Sequence, residues 1–250
     1  MRNFLLALSF LTIIPAYGNR LASEKEMAFS LYFYPLVGFV IGGLLAVTAY
    51  LAHILSLGLA GDVMVVVLWI IITGAMHMDG LMDSADGLFS GRDRERKLEI
   101  MRDSRIGAMG AVTMAAILLL KLSFLYQLPL EHKLLALFIA PALGRLVMVY
   151  AISFFPYARS ESGLGNSFGA KKGKEKLVGA AVLLLLGSIA VGGWQVLLPL
   201  ILTVGIMILI ARWIAGRLGG LTGDNYGALC ESTETVLLMV TVIILSYLAI

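Results

Sequence analysis

Charged residues are scarce in this sequence. They make up 14% of its 250 residues, whereas 60% are hydrophobic and the mean hydropathy is +0.93. Because soluble domains carry about 25% charged residues, this composition excludes an ordinary soluble protein. Cysteine is nearly absent, and the lone Cys230 excludes an internal disulfide or a cysteine-based metal site. The first apolar run lacks a basic leader beyond Arg2 and a small-residue cleavage site, so we expect it to be retained.

Long apolar runs are what the sequence does contain. A bilayer crossing takes about 20 apolar residues, and this criterion predicts an all-α, polytopic transmembrane bundle of seven or eight spans. The run at 4–15 ends at Pro15 and could be an eighth span, a re-entrant piece or an interfacial one. No internal repeat or linker is visible, so we expect residues 1–250 to form one domain. The other predicted spans are 29–52, 63–82, 107–126, 134–155, 177–192, 195–212 and 235–250.

Lysine and arginine are unevenly distributed between these spans. The intervening turns contain only Lys133. Loops rich in Lys and Arg stay in the cytoplasm, and the polar, glycine-rich stretches lie in the same basic segments. We therefore predict one functional site on the cytoplasmic face. The basic segments are 16–28, 90–106, 156–176 and 212–234.

Three aspartates and no basic residue occur in the segment HMDGLMDSADGLF at 77–89. Asp79, Asp83 and Asp86 are spaced i, i+4, i+7, which places them on one helix face. Carboxylates this close repel one another, and a hard cation such as Mg²⁺ or Mn²⁺ would relieve the repulsion. The alternative is a solvated stripe paired with the following basic loop. His77 lies roughly opposite the stripe, which favours a structural role over metal ligation.

A second polar stretch, DSRIGAMG at 103–110, opens a predicted span. Asp103 or Ser104 could cap this helix. Alternatively, Asp103 could complete a metal site, and Arg105 could bind phosphate beside the helix N-terminus. Both interpretations stay open.

A third stretch, GGLTGDNYGALCESTE at 219–234, precedes the last predicted span. Its glycines predict a tight loop that exposes Asp224, with Asn225 beside it. Glu231 and Glu234 could simply favour the dipole at the N-terminus of the last span.

Two arginines stand out among the remaining charges. Arg145 lies inside a predicted span, where an ionisable residue serves function or has a buried partner such as one of the aspartates. Arg159 follows FFPYA at the membrane edge, and the glycine-rich segment behind it, with Gly163 and Gly165, could bind phosphate through backbone amides. Carboxylates, arginines and glycine-rich loops on one face are what phosphoryl or nucleotidyl transfer needs.

Four motifs carry a resemblance to a known family. In chain order they are HMDGLMDSADGLF at 77–89, LEIMRDSRIGAMG at 98–110, PYAR with GLG within 156–165, and GLTGDNYGA at 220–228. Together they resemble the cobalamin synthase family, the adenosylcobinamide-GDP ribazoletransferases, and FLTIIP at 10–15 is also similar. The resemblance covers nearly the whole chain, without a departure at the acidic positions.

The resemblance implies a Mg²⁺-dependent, multi-pass enzyme of the bacterial inner membrane in the last assembly steps of cobalamin (vitamin B12) biosynthesis. It would join adenosylcobinamide-GDP to α-ribazole, or its 5′-phosphate, giving adenosylcobalamin, or its 5′-phosphate, and GMP. The α-ribazole 5′-oxygen would attack the phosphorus attached to cobinamide and form a phosphodiester. A nucleic-acid partner is not expected, and a homo-oligomer is left open.

Residue roles follow from this chemistry. We assign metal binding to Asp79, Asp83, Asp86 and Asp103. We assign catalysis to Asp83, Asp86, Asp103 and Asp224. We assign binding of substrate phosphates to Arg105, Arg145, Arg159, Gly163, Gly165 and Asn225.

Three other classes of protein use related features. CDP-alcohol phosphotransferases space aspartates similarly, but their A-R pair and second aspartate half are missing around 79–91. Intramembrane prenyltransferases carry two aspartate-rich helical motifs, whereas here the second would have to be the loop at 224. An ion-coupled transporter places its acids near the bilayer midplane between repeats, which the predicted position and the lack of a repeat disfavour.

Overall fold

The computed structural model describes residues 1–18, 21–159 and 174–248. Within these residues the fold is helical, without strands, and an isolated bridge joins Tyr157 to Leu221. The α-helices are α1 (Arg2–Leu11), α2 (Glu24–Ser30), α3 (Tyr34–Ile54), α4 (Leu59–Ile72), α5 (Met76–Leu88), α6 (Arg94–Ile100), α7 (Ala108–Gln127), α8 (Leu130–Phe154), α9 (Lys174–Gly192), α10 (Leu197–Leu218) and α11 (Gly223–Leu248).

The bundle is organised around α8, which is the most deeply buried membrane helix. Almost every residue from Ala136 to Ser153 is buried, whereas α7, α9 and α10 expose large apolar side chains on their outer faces. An outer face of this kind suits contact with lipid tails. Helices α3, α9 and α11 pack directly on α8, so these elements form the centre of the protein.

The prediction of an all-α bundle with several membrane helices is confirmed. Among the described residues, five helical runs are long and apolar enough to cross a membrane, or six if the bent pair α4–α5 counts as one crossing. The predicted count of seven or eight is higher. The run at 4–15 is one predicted span that the structure does not contain. The ten residues of α1 extend only about 15 Å, which is half of a hydrocarbon core about 30 Å thick.

Two predicted spans lie in one run of 44 residues that comprises α9, α10 and the turn between them. Gly192, at the end of α9, lies against Leu135 near the start of α8. Leu177 of α9 and Met207 of α10 instead share a cavity with Tyr150 near the end of α8. The chain therefore reverses between α9 and α10, and the two helices run in opposite directions along α8.

The predicted span 63–82 is broken in its middle. Helix α4 ends at Ile72 and α5 begins at Met76, after a bend of 87°. Gly74 and Ala75 take left-handed φ angles of 60° and 58°, a conformation that terminates helices. The acidic stripe consequently lies on a separate helix that turns away from the direction of α4, rather than on the end of a straight span.

Polar segments that were predicted to share one face do lie together at one end of the bundle. Arg94 in α6 donates from Nε to the Leu218 carbonyl (2.7 Å) and from Nη2 to the Ala158 carbonyl (2.9 Å). Arg159 Nη2 lies 3.4 Å from the Met101 carbonyl oxygen. These bonds tie three of the basic segments to one another and fix the surroundings of α5.

Candidate active site

Helices α5 and α11 cross in close contact at two glycines. A Cβ added to Gly80 would lie 2.7 Å from the Asp224 carbonyl oxygen, and one added to Gly227 would lie 3.0 Å from the His77 backbone. Side chains larger than hydrogen would hold these backbones apart. The close crossing allows Asp79 of α5 and Asp224 of α11 to line the same cavity.

The three aspartates of the predicted stripe have different surroundings. Asp79 is exposed and Asp83 is half-buried, and the described part of the chain provides no hydrogen bond to either carboxylate. Asp86 instead accepts hydrogen bonds from the amides of Gly107 and Gly110, both at 2.8 Å. Its carboxylate thus caps the N-terminus of α7 from a neighbouring helix, which leaves two stripe carboxylates uncommitted within the described residues.

Asp83 interacts electrostatically with four other charged residues of the site. It is repelled by three neighbouring carboxylates, those of Asp79, Asp86 and Asp224, and attracted by the guanidinium of Arg159. The structure thus brings five of the predicted acidic and basic site residues together from α5, α11 and the segment after α8.

Asp224 lies in the first turn of α11 and is half-buried, so the predicted tight loop with an exposed acid is wrong. Arg159 Nη2 donates to its Oδ2 at 2.7 Å, and the Thr222 hydroxyl donates to the same oxygen at 3.2 Å. The neighbouring Asn225 is buried, accepts from the Thr222 amide (2.9 Å) and donates to Ser84 Oγ (2.9 Å). These contacts hold the start of α11 against α5.

A divalent cation fits the donor set at this crossing. No three Asp, Glu, His or Cys side chains converge as a ready-made metal cage in the ranges 1–18, 21–159 and 174–248. Mg²⁺, however, is usually held by one or two carboxylates together with water and substrate phosphates. Asp79 and Asp83 provide two such carboxylates. The site therefore suits a Mg²⁺ that is completed by a phosphate ligand.

Asp103 and Arg105 pair with each other in the exposed connection between α6 and α7. Arg105 donates from Nη2 and Nε to the Asp103 carboxylate at 2.6 and 3.0 Å, and these bonds lower the pKa of Asp103 to about 2. The N-cap of α7 is Gly107, so Asp103 does not cap this helix. Asp103 thus pairs with Arg105 rather than with a residue of the stripe, and a role of Asp103 in metal binding stays a prediction.

Arg145 is fully buried in a charge network between α5, α7, α8 and α11. Its Nη1 donates to Glu234, and its Nη2 lies 3.3 Å from Nδ1 of His77. Lys121 Nζ bonds to Glu231 at 2.6 Å and to Glu234 at 2.7 Å. The proposed dipole role of the two glutamates is therefore wrong, because both are buried acceptors in ion pairs.

Sequence reasoning missed Lys121. A signal was present, since this lysine interrupts the apolar run AAILLLKLSFLY and an ionisable residue within a span usually has a buried partner. The structure also supplies the buried partner that was left open for Arg145, as Glu234 rather than an aspartate. The predicted phosphate ligands Gly163 and Gly165 lie outside the described residues.

The fold and this site define a membrane-embedded helical protein with an acidic, arginine-flanked site at one end of its bundle. Residues 3–242 match the family model described as cobalamin-5-phosphate synthase, CobS. The chain belongs to this family.

Curated relatives named adenosylcobinamide-GDP ribazoletransferase align over almost the entire chain. The protein of Desulforamulus reducens is 49% identical over 234 residues, 92% of each chain. That of Roseiflexus sp. is 47% identical over 93% of this chain and 86% of its own, and that of Herpetosiphon aurantiacus is 42% identical over 96% of both. No solved structure matches.

Proposed function

We propose that this protein is a Mg²⁺-dependent transferase that joins adenosylcobinamide-GDP to α-ribazole, or to α-ribazole 5′-phosphate, and releases GMP. The name shared by relatives up to 49% identical over almost the whole chain carries the proposal. The acidic crossing of α5 and α11 supports it, because uncommitted carboxylates next to an arginine suit a metal-bound diphosphate.

The bonds that change define the nucleophile. The reaction breaks the P–O bond between the two phosphates and forms a phosphodiester to a ribose hydroxyl. When the acceptor is α-ribazole 5′-phosphate, its 5′-oxygen already carries phosphate, so the attacking group is a secondary hydroxyl rather than the 5′-oxygen expected from the sequence. The bridging oxygen departs with GMP, and the hydroxyl proton passes to a base.

We assign roles in this reaction to four residues of the crossing. Asp79 and Asp83 are the carboxylates that would hold a Mg²⁺, which would supply positive charge to the diphosphate and the leaving phosphate. Arg159, now paired with Asp224, would transfer its hydrogen bonds to the phosphate that gains charge. Asp224, released from that pair, would accept the proton of the attacking hydroxyl.

The direct test uses the full chain purified in detergent, without a membrane gradient. GMP release from adenosylcobinamide-GDP should require both α-ribazole and Mg²⁺ and should stop when EDTA is added. A folded protein that releases no GMP under these conditions would contradict the proposal. Turnover without a gradient would also separate the enzyme from an ion-coupled transporter.

We further propose that the end of the bundle with the site faces the cytoplasm of a bacterial inner membrane, as the basic segments predict. Cysteine labelling tests this cleanly, since the only cysteine, Cys230, is fully buried. Ser104 and Gln127 are exposed at opposite ends of α7. An impermeant maleimide should label Gln127→Cys in intact spheroplasts but label Ser104→Cys only after permeabilisation. The opposite pattern would reverse the orientation.

Gly80→Ala should impair the site by separating α5 from α11. The new Cβ would lie 2.7 Å from a backbone oxygen of Asp224, and overpacking of this kind costs about 1–3 kcal/mol. Because misplacement of reacting groups by about 1 Å can cost roughly 10²-fold in rate, we expect a loss of GMP release on that order. Thermal unfolding in detergent and initial rates measure the two effects.

Gly205→Ala in α10 is the matched control for this change. A Cβ at Gly205 meets no atom within 4 Å apart from its own helix, and alanine favours helix by about 1 kcal/mol over glycine. This variant should keep its activity and its stability. Equal activity losses in the two variants would mean that the crossing has no special role.

A further inference from the structure

A largely apolar cavity of about 240 Å³ lies between α1, α3, α5, α8 and α11, directly beside the proposed phosphate site. Phe10, Met148 and Ile152 contribute apolar walls, while Asp79 and Asp224 lie at its acidic side. Pockets for drug-sized ligands measure roughly 300–1,000 Å³. The smaller volume here suits a single ring system rather than a whole nucleotide.

Two buried polar atoms belong to residues that line this cavity. Tyr34 Oη and His77 Nε2 have no hydrogen-bond partner within the described residues. The neighbouring Ser30 hydroxyl donates its hydrogen to the Met27 carbonyl at 2.7 Å, so it cannot also donate to Tyr34 Oη. Buried polar groups without partners are rare and cost about 1–3 kcal/mol each. A ligand in this cavity would supply partners that the described residues do not provide.

The buried arginine determines what His77 can offer. Arg145 Nη2 lies 3.3 Å from His77 Nδ1, and a guanidinium can only donate hydrogen bonds. His77 Nδ1 must therefore be the acceptor, which places the hydrogen of the neutral imidazole on Nε2. His77 thus offers an N–H donor, which requires a ligand with an acceptor atom, whereas the Tyr34 hydroxyl can donate or accept.

We propose that this cavity binds the benzimidazole base of α-ribazole, with His77 Nε2–H donating to its unsubstituted ring nitrogen; this rests on the proposed function. The base is a flat, apolar bicycle whose single acceptor is that nitrogen. Guanine, the competing base, would bring several donors and acceptors into an apolar cavity and leave most of them unpaired. A base bound here leaves its ribose beside Asp79 and Asp224, where the attacking hydroxyl is needed.

An acceptor analogue tests the inferred hydrogen bond without changing the protein. In the 5,6-dimethylindole analogue of α-ribazole a C–H replaces the acceptor nitrogen and the shape is kept. The wild-type protein should use α-ribazole about tenfold better in kcat/KM, which corresponds to one hydrogen bond. His77→Phe should use both compounds equally, with an unchanged KM for adenosylcobinamide-GDP.

Tyr34→Phe provides a second variant that should fold normally, because its Oη has no partner in the described part of the chain. It should raise the KM for α-ribazole several-fold. Tyr126→Phe is the matched control: Tyr126 is 63% exposed and lines a different cavity, so its KM values should equal those of the wild type.

Two results would overturn the inference. One is a wild-type protein that uses the indole analogue as well as α-ribazole. The other is a rise in the KM for adenosylcobinamide-GDP, instead of α-ribazole, in His77→Phe or Tyr34→Phe, which would place guanine in the cavity. Calorimetric binding of α-ribazole to the purified protein is independent of turnover. Weakened binding in Tyr34→Phe would therefore support the cavity even if the wild type released no GMP and the proposed function failed.

Discussion

Replacing Asp83 by asparagine is expected to reduce GMP release by roughly 10³-fold or more, since the variant loses a carboxylate charge that would hold the proposed Mg²⁺ against the diphosphate. The fold should survive. Asp83 makes no hydrogen bond within the described residues, and it is repelled by neighbouring carboxylates, so the isosteric change removes repulsion rather than a stabilising contact. Initial rates over a Mg²⁺ titration, with thermal unfolding in detergent, measure both expectations.

Asp93→Asn is the control for this substitution. Asp93 Oδ1 accepts a hydrogen bond from the Arg96 amide at 2.9 Å and caps α6, and asparagine caps helices as well as aspartate does. Its rates should equal those of the wild type. If Asp83→Asn retained Mg²⁺-dependent turnover at the wild-type rate, the metal assignment would be wrong.

Hydropathy and charge were sufficient to predict the membrane helices and the grouping of the polar segments, because both depend on composition averaged over about 20 residues. The break between α4 and α5 depends on two residues. Gly74 and Ala75 are the left-handed pair, and alanine is ordinarily the strongest helix former. Residue propensity therefore favoured a continuous helix, whereas the structure bends by 87° between α4 and α5.

The candidate site also has features that the sequence predicts and contacts that it does not. Helical spacing predicted that Asp79 and Asp83 share one face, which is a property of a single helix. The cap that Asp86 provides to α7, and the pairing of Arg159 with Asp224, join elements distant in sequence. Partners of this kind follow from how helices are arranged in three dimensions, and one sequence contains little information about that arrangement.

Glu234→Gln is expected to destabilise the protein most severely, although Glu234 lies outside the proposed catalytic cluster. Glu234 bonds to two buried cations, Lys121 and Arg145. Glutamine preserves the shape but leaves Glu231 as the one remaining anion of the network for both cations. Breaking a buried ion pair by removing one partner costs about 3–5 kcal/mol. Unfolding in detergent and the yield of monodisperse protein measure this loss.

Glu99→Gln tests whether the burial of Glu234, rather than the loss of an ion pair as such, causes the damage. Glu99 pairs with Arg96 at 2.6 Å, but both side chains are more than 60% exposed, and surface pairs contribute about 0–1 kcal/mol. This variant should unfold almost like the wild type. Adding Lys121→Met to Glu234→Gln restores a neutral network and should recover part of the lost stability. Equal destabilisation by Glu99→Gln and Glu234→Gln would show that the buried network does not stabilise the bundle.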